Sequence, residues 1–124
     1  MTYRNDTHAT LYKTFVVLCP HKLSNRFLAA LFFLSANREL WNGAKKAIEG
    51  KNIDFERIDK KDMGCYAYTL LCLAKDFYTG STHATLYDIG NIHLFSDQTV
   101  ELIVSAIGIS RKGYEYIGIN KQFD

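Results

Sequence analysis

A chain of 124 residues, 48% hydrophobic and 23% charged, is sized for one globular domain that buries its core without metals or disulfides. A net charge of +2 and a pI near 8.4 are too mild to imply nucleic-acid binding and exclude a strongly acidic mimic of DNA. The three cysteines, Cys19, Cys65 and Cys72, and an N-terminus without a secretory hydrophobic run make free thiols in a reducing, cytoplasmic setting the expectation.

The first helix is predicted over Asn5 to Leu18, capped by Asp6 or Thr7, with Leu11, Tyr12, Phe15, Val16 and Leu18 as its apolar face. Pro20 closes it, because proline disfavours the helical region at Cys19. Ser24 or Asn25 caps a second helix, Arg26 to Ala36. Its apolar residues cover nearly the whole circumference, and the run Phe27 to Leu34 is far short of the roughly 20 residues that span a bilayer. Asn37 caps a third helix, Arg38 to Glu49, ended by Gly50. Asn52 to Ile58 reads as an extended connector.

The stretch Asp59 to Gly80 is expected to organise the fold. Met63, Ala67, Leu70, Leu71, Ala74, Phe77 and Tyr78 recur at helical spacing, Asp59 supplies a cap, and Gly80 supplies a stop. A short helix follows over Thr82 to Ile89. The last strong helix is Asp97 to Ile107, capped by Ser96 and ended by Gly108 and Ile109. The segment 111–124 changes character, and Tyr114, Tyr116, Ile117 and Ile119 among glycines suit a short strand or an ordered arm. The fold expected is all-α: one compact domain over residues 1–124, of about five helices, with a short irregular or extended C-terminal arm. The hexapeptide Thr-His-Ala-Thr-Leu-Tyr stands at Thr7–Tyr12 and again at Thr82–Tyr87. The flanks do not match, so two helix starts with the same cap chemistry are expected rather than a duplicated domain. The sharper alternative places His8 and His83 in related sites for one ligand.

From Phe27 to Ser110 the pattern resembles a family of small, uncharacterised helical proteins of Gram-positive bacteria and their mobile elements. The matching stretches are Leu28 to Trp41, Leu70 to Gly80 and Ser105 to Ile109. The resemblance implies a helical fold and a mobile-element setting, and it carries over no catalytic residue. The segment after Ser110 departs from it.

The residues offer little chemistry. Cys19 and His21 flank Pro20, a spacing at which the two side chains diverge, and nucleophile and base normally come from distant positions. Cys65 and Cys72, on one helical face, read as buried structural thiols. The four histidines lack metal-ligand spacing, although His83, His93 and Asp88 could meet in space. No phosphate-binding glycine loop is present. No cofactor, metal or catalytic residue is therefore expected. The leading expectation is a non-enzymatic protein-interaction module. The resemblance suggests a mobile-element protein that binds and modulates a host or defence-system protein. Tyr114, Tyr116, Ile117 and Ile119 are the candidate interface, with a homodimer through edge-paired arms as one form. The alternative is a nucleic-acid-binding accessory protein using the exposed lysines Lys45, Lys46, Lys60 and Lys61. No membrane partner is expected.

Overall fold

Asn5, Ser24 and Asn37 each accept a hydrogen bond from the backbone amide three residues on, and these caps open the first three helices, α1 (Asp6–Leu18), α2 (Asn25–Leu34) and α3 (Arg38–Ala44). The computed structural model describes residues 1–123. Pro20 acts as expected: Cys19 leaves the helical region, with ψ 124°, and α1 stops there.

The organising element is α2, and this corrects the expectation that the stretch before Gly80 would be central. Every side chain from Phe27 to Leu34 is buried, and the two longest helices both pack along it. One of these is α4 (Cys65–Thr79), whose Cys65 and Tyr68 reach solvent. A helix with no polar side chain over eight residues has no face to offer water, so its neighbours must surround it. Replacing one of its large side chains by Ala is a cavity-forming change of about 2–5 kcal/mol.

The start of α4 also differs. Residues 59–64 form turns: Asp59 accepts from the Lys61 amide at 2.9 Å, and Asp62 takes a left-handed φ of 64°. Gly64, extended and bonded through its amide to the Glu39 carboxylate at 3.3 Å, becomes the cap, so Met63 lies outside the helix. At the other end Gly80, with φ 79°, stops α4 as expected.

The third helix is shorter than expected. After Ala44 the chain tightens into a 3₁₀ turn, Lys45–Ala47, and enters an antiparallel hairpin, β1 (Ile48–Glu49) and β2 (Asn52–Ile53). Gly50, φ 59°, occupies the first loop position of a two-residue hairpin, which glycine suits. A second 3₁₀ turn, Phe55–Arg57, follows.

Of the short helix expected over Thr82 to Ile89 only α5 (Leu86–Ile89) forms; Thr85 and Asp88 make a reciprocal capping box, and Gly90 ends it. Ser96 caps α6, which runs from Asp97 to Lys112 and not to Ile107. Gly108 does not end it. A Cβ at Gly108 would lie 2.2 Å from Cζ of Tyr116, so the missing side chain is the seat for that ring. The helix ends instead at Gly113, φ 58°.

The C-terminal arm is helical at its start, α7 (Tyr114–Ile117), and folds back on its own domain. It contains no strand among the described residues, so the edge-paired arrangement lacks its element. No helix of the described residues is long and apolar enough to cross a membrane.

Candidate functional site

Helix α1 carries two apolar stripes, and α2 covers only one. Tyr12 and Val16 are buried inward, with the Tyr12 hydroxyl donating to the Leu28 carbonyl at 2.8 Å. His8 belongs to the same stripe. Its Nδ1 accepts from the Arg4 amide at 2.9 Å and its Nε2 lies 2.7 Å from the Phe32 carbonyl oxygen, which fixes the neutral Nε2–H tautomer. Burial pushes the His8 pKa down to about 4; the bond to Phe32 acts the other way, and the Arg4 charge adds to the fall.

The second stripe, Leu11, Phe15 and Leu18, faces sideways into a cleft of about 690 Å³ closed on the far side by Trp41 and Ile48. Phe15 and Trp41 meet edge to face, centroids 5.7 Å apart, which makes a firm aromatic floor. Pro20 turns the chain at one end, and Gly50 of the hairpin lines the cleft beside His21. Leu18 is 74% exposed at the lip. A cleft of this size and apolar character is the usual form of a binding site, and one open along its side accepts a peptide segment. The sequence signal for it was the width of the α1 pattern: five apolar residues too spread to fit under one neighbour.

The candidate interface residues of the arm are largely taken up inside the chain. The Tyr114 hydroxyl accepts from the Leu23 amide at 2.9 Å, Tyr116 fills the Gly108 notch, and Ile117 is buried. Ile119 is half-buried against the same core. Beyond them the Lys121 ammonium donates to the carbonyls of Val16 and Cys19, tying the arm to the end of α1.

All four candidate lysines are exposed. Lys45 stands on the cleft rim, while Lys46, Lys60 and Lys61 are exposed on the turns beyond it. Carboxylates share those turns, and Glu49 pairs with Arg57 at 3.0 Å on the surface.

Asp76 organises the loop after α4. Its carboxylate accepts from the Ser81 hydroxyl at 2.7 Å and from the amides of His83 at 2.9 Å and Ala84 at 2.8 Å, and His83 Nδ1 lies 2.7 Å away. Burial raises the Asp76 pKa, but the bonds from Ser81, His83 and Ala84 outweigh it and hold the carboxyl below its usual value. This is not a catalytic triad. The serine hydroxyl and the carboxylate both gather on Nδ1, whereas a triad needs the hydroxyl on Nε2. His83 therefore pairs with Asp76 rather than with Asp88 and His93, and no cluster of metal-ligating side chains occurs among the described residues. Of the thiols, Cys19 is the buried one, while Cys65 is exposed and Cys72 half-exposed, which reverses the expectation for the α4 pair. No family model, curated protein or solved structure matches the chain.

Proposed function

We propose that this chain is a protein-binding module that performs no chemistry of its own and uses the α1–α3–hairpin cleft as its contact surface. The observation that carries the reading is Leu18, 74% exposed beside an apolar floor of Phe15 and Trp41. Exposed apolar surface of this kind costs free energy in water and is recovered when a partner covers it. Trp anchors of this type supply much of the binding energy at protein interfaces. In the mobile-element setting that the resemblance implies, the partner is a host or defence-system protein.

The test uses three immobilised baits in a bacterial lysate: the natural chain, Leu18→Ser in the cleft and Val104→Ser on the exposed side of α6. The expected result is a captured protein that is lost with Leu18→Ser and retained by Val104→Ser. Capture that is the same on all three baits, or no capture at all, overturns the reading.

A further inference from the structure

The cleft continues into other depressions. It shares Pro20 and His21 with a second one of about 490 Å³, and that one shares Lys22 and Lys51 with a third of about 420 Å³. Lys121 lines the second and Arg26 the third. The surface thus runs from Leu18 and Trp41, with Lys45 on the rim beside them, to the four cations Lys22, Arg26, Lys51 and Lys121 at the other end. Among the described residues, none of those lining the three is a carboxylate.

Overall charge does not account for this gradient. The chain has 15 Lys and Arg against 13 Asp and Glu, so a random stretch of surface mixes the two signs. Arg26 lies over the Tyr78 ring at 5.1 Å, and Lys121 is held by the carbonyls at the end of α1. Both are thereby fixed in place. Lys22 and Lys51 form no ion pair among the described residues.

Resting on the reading of the cleft as a protein-binding surface, we infer that cleft and trough together bind one acidic amphipathic peptide segment. Its apolar side chains seat between Leu18 and Trp41, and its carboxylates lie over Lys22 and Lys51. Apolar anchors supply affinity in such grooves, and opposite charge at one end fixes direction and rejects wrong partners. A nucleic-acid backbone would satisfy the cations but leave the apolar end uncovered.

The test is selection of a random peptide library displayed on phage against the full chain, followed by titration of the enriched peptide. Trp41 is the chain's one tryptophan and reports occupancy of the cleft by its fluorescence. The expected consensus combines apolar residues at helical spacing with a run of Asp or Glu. Its binding shifts Trp41 emission to the blue. It is lost with Leu18→Ser and weakens roughly tenfold or more at low salt with Lys22→Glu/Lys51→Glu, because charge reversal acts most where screening is least. Each variant is checked for an unchanged melting temperature. A consensus that depends on Leu18 but is neutral or basic overturns the acidic partner and leaves the protein-binding reading standing. Failure to enrich any peptide that depends on Leu18 overturns both. Retention of duplex DNA at moderate salt, lost with Lys22→Glu/Lys51→Glu while Trp41 is unmoved, overturns the inference in favour of a nucleic-acid backbone.

Discussion

The same six residues, Thr-His-Ala-Thr-Leu-Tyr, fold in two ways in this molecule. At Thr7–Tyr12 all six lie in α1, with His8 and Tyr12 buried on α2. At Thr82–Tyr87 the first four lie outside any helix, and Tyr87 is 79% exposed. The flanks make the difference. Asn5 caps α1 two residues before the first copy, and the residues after Tyr12 continue the helix to Leu18. Before the second copy, Asp76 holds the amides of His83 and Ala84 in a loop, and Gly90 ends the helix three residues after Tyr87. The caps therefore do not correspond. Thr85 caps α5, while its counterpart Thr10 lies inside α1. The expectation of two helix starts sharing one cap chemistry gives way to one helix interior and one loop. The two histidines likewise differ: one is buried and neutral, the other half-exposed against a carboxylate.

The sharpest contrast is between the tyrosines. Tyr12→Ala removes a fully buried ring and its bond to Leu28, and is expected to cost about 3–5 kcal/mol in urea unfolding. Tyr87→Ala is expected to stay within about 0.5 kcal/mol. Equal shifts in midpoint would mean that the second copy is as well packed as the first.

The histidines sharpen the contrast through pH. Above pH 6.5 His8 is neutral in both folded and unfolded chains, and its contribution to stability is fully present. Between 6.5 and about 4 the unfolded chain takes up a proton that the folded chain refuses, so stability falls as pH falls. The expected loss is on the order of 3 kcal/mol. It should be absent in His8→Gln and retained in His83→Gln, read as the slope of unfolding free energy against pH. A slope that survives His8→Gln would place the proton elsewhere.

The smallest effect separates the threonines. Thr85→Ala removes the side-chain cap of α5 and is expected to cost about 1 kcal/mol. Thr10→Ala places a better helix former on the exposed side of α1 and is expected to be neutral or slightly stabilising, by about 0.5 kcal/mol at most. A larger loss at Thr10 would reveal a role for its hydroxyl on the rim of the cleft.

These copies show how much of the fold can be read locally. The all-α class was legible, since caps at Ser24, Asn37 and Ser96, the stops at Pro20 and Gly80, and the apolar run of α2 are each set by a few adjacent residues. Where a distant partner decides, the reading failed. Gly108 looks like a helix end until Tyr116 occupies its missing side chain, and Gly50 looks like one until Ile48 and Ile53 pair across a hairpin. The prominence given to α4 had the same cause. Its half-covered outer face is as apolar in sequence as a buried one, and only the placement of α2 tells them apart. The candidate site was less legible than the fold. Phe15, Trp41 and Ile48 come from three elements, and Lys22, Arg26 and Lys51 are brought together only when the hairpin closes over the start of α2.

The notch at Gly108 also imposes an order in time. It is made of the backbone of α6, so it exists only after that helix has wound past it. Tyr116 can dock only once that turn of α6 is in place. The arm can therefore open by a local excursion that leaves α2 and its neighbours intact. In native-state hydrogen exchange, the amides of residues 116–119 should exchange through this opening, well ahead of those in α2. Since Lys121 bonds the carbonyls that end α1, each excursion also frees the last turn of the helix that carries Leu18.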